Sequence, residues 1–478
     1  MSLKSRSWKH RETCHNSLIM KDAISTSDNP ELARALDLAL NTDRSFFLTG
    51  KAGTGKTTLL RHILETTTKE TVVLAPTGVA AINAGGQTIH SFFQIAPSIY
   101  TPEDPRLSTE ISYDETEDDD DWTSIYENFK YSAEKLEIIR RMETLVIDEV
   151  SMVRADLFDV MDILLREFRD SPLPFGGVQL ILVGDLFQLP PVVTRNEADI
   201  LYRRYQSEFF FSADVMRYLY LDYVELKKVY RQDDSAFIEL LNRVRVNRML
   251  PDDFRLFRSL THPSFRPNGK DNCIILATTN AVVSNLNAKR MAEIPSEERF
   301  YDARIEGDFN SRDIIAEEHL KLKVGAQVMY LKNDSDGRYF NGKIGQVSRM
   351  DDDLIWVSTD YDDDLPEDIA VSREEWKNVR YRWNSEKECV EEEVIGTFSQ
   401  FPLKLAWAIT VHKSQGLTFE RVVADLGNSF TAGQVYVALS RCTSLKNLVF
   451  TSLITPNCIK VDRRVIDFIT YLESRKKG

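Results

Sequence analysis

Residues 50 to 57 read GKAGTGKT, a G-x-x-x-x-G-K-T string that follows the apolar run 45-SFFLTG-50 and precedes the helix-like run 58-TLLRHILE-65. Glycines at 50, 53 and 55 let backbone N–H groups close round a phosphate, and the helix that follows brings its positive end to the same place. The predicted cradle is therefore Gly50, Lys51, Ala52, Gly53, Thr54, Gly55, Lys56, Thr57 and Thr58. Lys56 is expected to reach the β- and γ-phosphates of ATP, and the Thr57 hydroxyl to ligate Mg2+. A second apolar run, 144-TLVIDE-149, ends in two carboxylates. Asp148 can share the magnesium with Thr57, while Glu149 orients an attacking water. A third run, 178-VQLILVGD-185, leads into 184-GDLFQLPP-191, where Gln188 can reach the γ-phosphate. Phosphoryl transfer also needs positive charge on the developing transition state, for which Arg231 and Arg441 are the candidates.

These groups need strands to hold them. The runs from Ser45 to about Met216 are short, nearly all apolar, and end in Gly, Pro or acid, alternating with helix-like segments. Strands of that kind are buried on both faces, which predicts an α/β fold with a parallel sheet and ligands at the carboxyl ends of its strands. The pattern returns in 223-YVELKKVYR-231, 273-CIILATT-279, 420-ERVVADL-426 and 447-NLVF-450, so a second lobe is expected. Between about 316 and 400 the chain alternates apolar and polar residues with Gly and Asp turns, the pattern of a small antiparallel barrel. Residues 97 to about 134, rich in Pro, Asp and Glu, suggest a smaller, partly irregular insertion. The predicted division is a tail at 1–30, lobe one at 31–215, lobe two at 216–315 and 401–478, and the inserted barrel at 316–400.

Composition excludes several classes. No run approaches the roughly 20 apolar residues of a membrane helix, and the first twenty residues lack a signal-peptide core, so the expected address is cytoplasmic. The five cysteines have no C-x-x-C pair and the seven histidines no ligand spacing, so no structural zinc is expected. A net charge of −14 argues against a nucleic-acid partner only at first sight. Residues 110–121 hold eight acids and residues 351–368 nine, with no base in either run; setting these 17 charges aside leaves +3 for the rest.

In chain order, GKAGTGKT, 75-APTGVAA-81, 86-GQTIHSF-92, LVIDE, GDLFQLPP, 229-VYRQ-232, 405-LAWAITVHKSQGLTF-419 and 433-GQVYVALSR-441 resemble the motif series of superfamily 1B helicases. The segment 156-DLFDVMDILLREFRDSPLPFGGVQLILVGDLFQLPPV-192 is most similar to the petite-integration-frequency (Pif) family. The resemblance implies two RecA-like P-loop lobes, a wedge inserted in lobe one and a barrel of Src-homology-3 type in lobe two. It also implies 5′-to-3′ DNA unwinding, with single-stranded, forked and G-quadruplex DNA as partners and a monomer in the absence of DNA. One departure stands out. Where many helicases read adenine with a glutamine, residues 28–44 have none, and Asn29 is the substitute amide.

A motor must also hold a strand without reading its sequence. The predicted contacts are Pro76, Thr77 and Gly78 after the second strand, His90 and Phe92 in 88-TIHSFF-93, and His412, Lys413 and Ser414 in 411-VHKSQG-416. In the inserted barrel, the turn 335-SDGRYFNGK-343 is expected to present Arg338, Tyr339, Phe340 and Lys343. Two rivals remain at this level. One is a RecD-like or relaxase-type motor, disfavoured by PFGGVQLILVGD. The other is a nucleotide-switched scaffold, disfavoured by the motor-like motifs of the second lobe.

Overall fold

The computed structural model describes residues 29–475 apart from 97, 111, 115–120, 233, 266–272, 310–315, 335–337, 340, 360–367 and 385–388; of 112–114, 121–123, 382–384 and 389–392 it describes the backbone only. Residues 1–28 of the tail with Cys14, much of both acidic runs, and Phe340 lie outside the described residues.

Lobe one is a six-stranded parallel sheet. Its strands are β1 (Phe46–Gly50), β2 (Thr71–Ala75), β3 (Gln87–Thr88), and, after a short antiparallel hairpin of β4 (Ser112–Asp114) and β5 (Asp121–Thr123), β6 (Thr144–Ile147), β7 (Gln179–Val183) and β8 (Asp222–Leu226). The spatial order is β3-β2-β6-β7-β1-β8. Every residue of β1, β2, β6 and β7 is buried. Successive side chains point to opposite faces, so Phe47, Val72 and Leu74 enter the main core. Phe46, Leu48 and Val73 pack on the other side with the helices Pro30–Asn41 and Lys56–Thr66. Two covered faces are why the strands read as unbroken apolar runs.

The strand at 223 does not open lobe two, as its sequence pattern suggested. It is β8, paired in parallel with β1 along all five residues. Arg34 and Arg44 both reach the buried Asp222 carboxylate, at 3.0 and 2.8 Å. An apolar strand announces itself in sequence, but its neighbour depends on partners about 180 residues away. Arg231 consequently emerges from lobe one. The chain crosses afterwards through the helices Ser235–Arg245 and Pro251–Ser259.

Lobe two begins with β9 (Cys273–Ala277) and the helix Asn280–Glu293. An antiparallel insert follows, made of β10 (Glu298–Asp302), β11 (Arg304–Gly307), β12 (His319–Lys323), β13 (Gln327–Tyr330), β14 (Ile344–Met350), β15 (Ile355–Ser358), β16 (Asp368–Val371), β17 (Glu374–Asn384), β18 (Cys389–Gln400) and β19 (Leu403–Leu405). The lobe then closes with β20 (Ala408–Thr410), β21 (Arg421–Asp425) and β22 (Leu448–Phe450), giving a parallel sheet of order β20-β9-β21-β22.

The insert departs from the predicted limits in two ways. β10 and β11 precede residue 316 yet pair with β12 and β18. The five-stranded sheet β16-β15-β14-β13-β19 surrounds its own core of Tyr330, Val347, Val357 and Leu403. β17 and β18 instead form a long hairpin, an arm that pairs with β11 and reaches lobe one.

Candidate functional site: the seam between the lobes

β1 ends at Gly50, the loop turns through Gly53 (φ 78°) and Gly55 (φ 84°), and the helix Lys56–Thr66 begins. A Cβ on Gly53 would lie 2.5 Å from the Arg231 Cβ, so close approach as well as backbone conformation demands glycine there. The loop is braced from within by the Thr54 hydroxyl donating to the Lys51 carbonyl at 2.9 Å. Lys56 Nζ donates to the carbonyls of Gly50 (2.7 Å) and Lys51 (3.2 Å). Burial pushes the Lys56 ammonium below its ordinary pKa, against the pull of Asp185, Glu149 and Asp148. Lys51 is likewise pushed down by burial and by Arg245. Thr57 is exposed at the start of the helix and Thr58 half-buried.

β6 delivers the acidic pair. Asp148 is buried, and burial together with Glu149 pushes its carboxyl up to about 7. Glu149 adopts φ 50°, a left-handed conformation costing a non-glycine residue about 1–3 kcal/mol. Its carboxylate accepts a 2.9 Å hydrogen bond from the Gln415 amide of lobe two. Burial raises the Glu149 pKa, while Lys56 and Arg441 oppose the rise.

β7 delivers Asp185, three residues before the expected Gln188. Asp185 is fully buried and ion-paired with Arg245 at 2.8 Å. Burial alone would raise its pKa, but Arg245 and Lys56 outweigh that and hold it low. Gln188 is buried three residues on, its N–H bonded to the Asp185 carbonyl.

Lobe two supplies the rest through the buried helix Gln434–Ser440. The Tyr436 hydroxyl donates to Asp185 Oδ2 (3.1 Å) and accepts from the Ala52 N–H of the phosphate loop (2.9 Å). Arg441, 2% exposed, donates to the carbonyls of Val437 and Leu417 and to the Ser440 hydroxyl. Burial and the neighbouring Arg231 push Arg441 down to about 9, so this is a cation short of negative charge. Arg231, leaving lobe one, donates to the Ser440 carbonyl (3.2 Å) and is lowered by burial. The predicted catalytic groups thus gather at one seam. Tyr436, Gln415, Asp185 and Arg245 join them without having been singled out, although the first three stand inside motifs quoted above.

Asn29 caps the helix Pro30–Asn41, its side-chain oxygen accepting from the Leu32 N–H at 3.1 Å.

Of the predicted strand contacts, Pro76, Thr77, Gly78, His90 and His412 are half-buried and Lys413 is exposed. Burial lowers the pKa of both histidines, with Arg154 contributing at His90. Three expectations fail. Phe92 is a core residue, edge-on to Phe93, with the Lys135 ammonium 3.2 Å above its ring centroid. Ser414 is buried and its hydroxyl donates back to the Val411 carbonyl. Tyr339 is buried, stacked on Tyr330 at 4.0 Å between centroids, because the small insert core needs its area. Arg338 remains half-exposed, paired with Asp334 at 2.7 Å, and Lys343 is half-buried, its ammonium donating to the Arg338 carbonyl.

A parallel-sheet lobe carrying a phosphate loop, faced by a second parallel-sheet lobe whose side chains reach that loop, defines a P-loop protein with two RecA-like lobes. The model of the PIF1-like helicase family matches residues 31–250. The chain is 31% identical to the ATP-dependent DNA helicase Pif1 of Bdellovibrio bacteriovorus, over 93% of its own length and 92% of the relative's. It is 32% identical to the ATP-dependent DNA helicase PIF1 of Emericella nidulans, over 89% of this chain. The chain spans only 60 to 64% of the length of that relative and of the rat and mouse relatives. Among solved structures, Bacteroides Pif1 with ADP-AlF4 is 39% identical and superimposes with a TM-score of 0.82, covering 93% of this chain and 97% of that one. The same relative gives 0.81 unliganded and 0.64 when bound to single-stranded DNA, at equal coverage of this chain. The chain belongs to the PIF1-like helicase family. The chain superimposes better on the two DNA-free structures of that relative than on the DNA-bound one.

Proposed function

We propose that the chain is an ATP-dependent 5′-to-3′ DNA helicase that moves along single-stranded DNA and opens duplex, forked and G-quadruplex structures. The observation that carries the proposal is the convergence of lobe-two groups on the phosphate loop of lobe one. Tyr436 holds the Ala52 amide, Gln415 holds Glu149, and Arg441 is buried beside Arg231. A site divided in this way opens and closes as nucleotide turns over, and closure is what moves one lobe along a strand relative to the other.

In this proposal the loop amides and Lys56 hold the β- and γ-phosphates of ATP. Glu149 orients the water and takes its proton, while Gln188, Arg231 and Arg441 stabilise charge on the transferring phosphoryl group. Asp148 and Thr57 would hold Mg2+, which supplies neutralisation of phosphate charge. They fit it by the chemistry of the donor set, a carboxylate and a hydroxyl being hard oxygen donors of the kind magnesium takes. The strand would meet Pro76, Thr77, Gly78, His90, His412 and Lys413, with Arg338 and Lys343 of the insert. Relatives solved with single-stranded and forked DNA support DNA as the partner.

The test is ATP turnover with and without single-stranded DNA, followed by strand displacement on 5′-tailed, 3′-tailed and quadruplex substrates. Stimulation by DNA and opening of the 5′-tailed substrate are expected. Turnover indifferent to DNA would favour the nucleotide-switched scaffold.

A further inference from the structure

Tyr436 has no part in the phosphate chemistry just described, yet its hydroxyl occupies the centre of the seam. It accepts the Ala52 N–H, which belongs to the phosphate loop, and donates to Asp185, whose other oxygen is held by Arg245. Burial and the Asp185 carboxylate both push the phenol well above its ordinary range, so it keeps its proton. The polarity of the chain from Ala52 through Tyr436 to Asp185 is therefore fixed.

The helix that carries Tyr436 has little freedom to slide. All seven residues from Gln434 to Ser440 are buried. At its start Gly433 lies against lobe one so closely that a Cβ would fall 2.2 Å from the Gln188 carbonyl oxygen and 2.5 Å from that of Phe187. At its end the Ser440 carbonyl accepts from Arg231 and Gln232. Arg441 follows immediately, tied to the same helix by its bond to the Val437 carbonyl. Tyr436 and Arg441 thus stand five residues apart on one rigid segment, the first touching the phosphate loop and the second bearing the buried cation.

We propose that Tyr436 is a positioning residue for ATP hydrolysis: its hydroxyl keeps the segment bearing Arg441 in register with the phosphate loop, so that the loop's conformation determines where that guanidinium stands. The proposal rests on the ATPase function proposed above. Its test is arranged so that the two can fail separately.

Tyr436→Phe keeps the ring in the core and removes only the hydroxyl. ATP turnover at saturating DNA is measured for wild type, Tyr436→Phe, Arg441→Lys and the double variant, with melting temperature and DNA affinity as controls of folding. The expected result is a fall in kcat of at least about tenfold for Tyr436→Phe, with KM for ATP changed less than about threefold, because misplacing a transition-state group costs rate rather than binding. The double variant should be no worse than Arg441→Lys alone, since both changes act on one group. Gly433→Ala disturbs the same register from the other end without touching either hydroxyl partner, and should lower kcat in the same way. A Tyr436→Phe enzyme with unchanged kcat, with a loss confined to KM or melting temperature, or with a loss fully additive to that of Arg441→Lys would overturn the proposal. Absence of turnover in the wild type would instead overturn the ATPase function.

Discussion

Two of the places where lobe one is gripped, the seam and the arm, differ in kind. At the seam the contacts are buried and charged: Asp185 with Arg245, Glu149 with Gln415, and Tyr436 bridging a backbone amide to a carboxylate. At the arm they are uncharged, one aromatic pair and two hydrogen bonds. Tyr381 of β17 sits edge-on to Phe92, its hydroxyl accepts from the Val73 N–H, and the Gln87 amide donates to the Val379 carbonyl. β3 covers only Leu74 and Ala75 of β2, so the arm finishes an edge that the sheet leaves short. Buried charges are costly to leave unpaired, so the seam tolerates few geometries. An aromatic contact on a strand edge can part and re-form at lower cost.

The comparison breaks most readily at Lys56. Lys56→Ala should reduce ATP turnover by at least about 10²-fold with the fold intact, because it removes the cation on the transferring phosphate from a loop position. Turnover within threefold of wild type, measured by phosphate release, would mean that the seam is not the site.

A smaller effect tests the electrostatics of the seam without nucleotide. Asp148 is raised in the folded protein to about 7 from an ordinary value of 3.8. Folding therefore favours its protonated form, a preference fully present below pH 3.8 and lost as pH rises through about 7. Asp148→Asn removes the buried charge. Its melting temperature should exceed wild type at pH 8, by about 1 °C for each kcal/mol in a chain of this length, and the gain should shrink toward pH 5. A gain that grows on acidification contradicts the assignment.

The smallest effect on turnover belongs to the arm. Tyr381→Ala should lower stability by about 1–3 kcal/mol through lost packing and change DNA-stimulated turnover by less than about twofold, since the arm contacts named above involve none of the seam residues. Denaturant melts and steady-state turnover separate the two readouts. A turnover defect as deep as that of Tyr436→Phe would show that brace and seam form one device.

Much of this was legible before any fold was known. GKAGTGKT, LVIDE and GDLFQLPP are local: a strand, a tight turn and a helix start are set by neighbouring residues, so each chemical group lies at the strand end that the pattern implies. The alternation of apolar runs likewise fixed two parallel-sheet lobes with an antiparallel insert. What misled was exposure. Phe92 and Tyr339 carry the composition of stacking platforms, but buried aromatic area stabilises a core, and both were drawn inward, Phe92 into the main core and Tyr339 into that of the insert.

The sequence by itself determined the phosphate loop, the acidic strand ends and the α/β character, because these depend on periodicity and on turns a few residues long. Tertiary structure alone decided that β8 completes lobe one, that β17 of the β17–β18 arm reaches β2, and that Asp185, Tyr436, Arg245 and Gln415 meet at the seam. Tyr436 lies 384 residues from Ala52 and 251 from Asp185. A partner at that separation is chosen by the packing of two whole lobes, and no spacing within a motif encodes it.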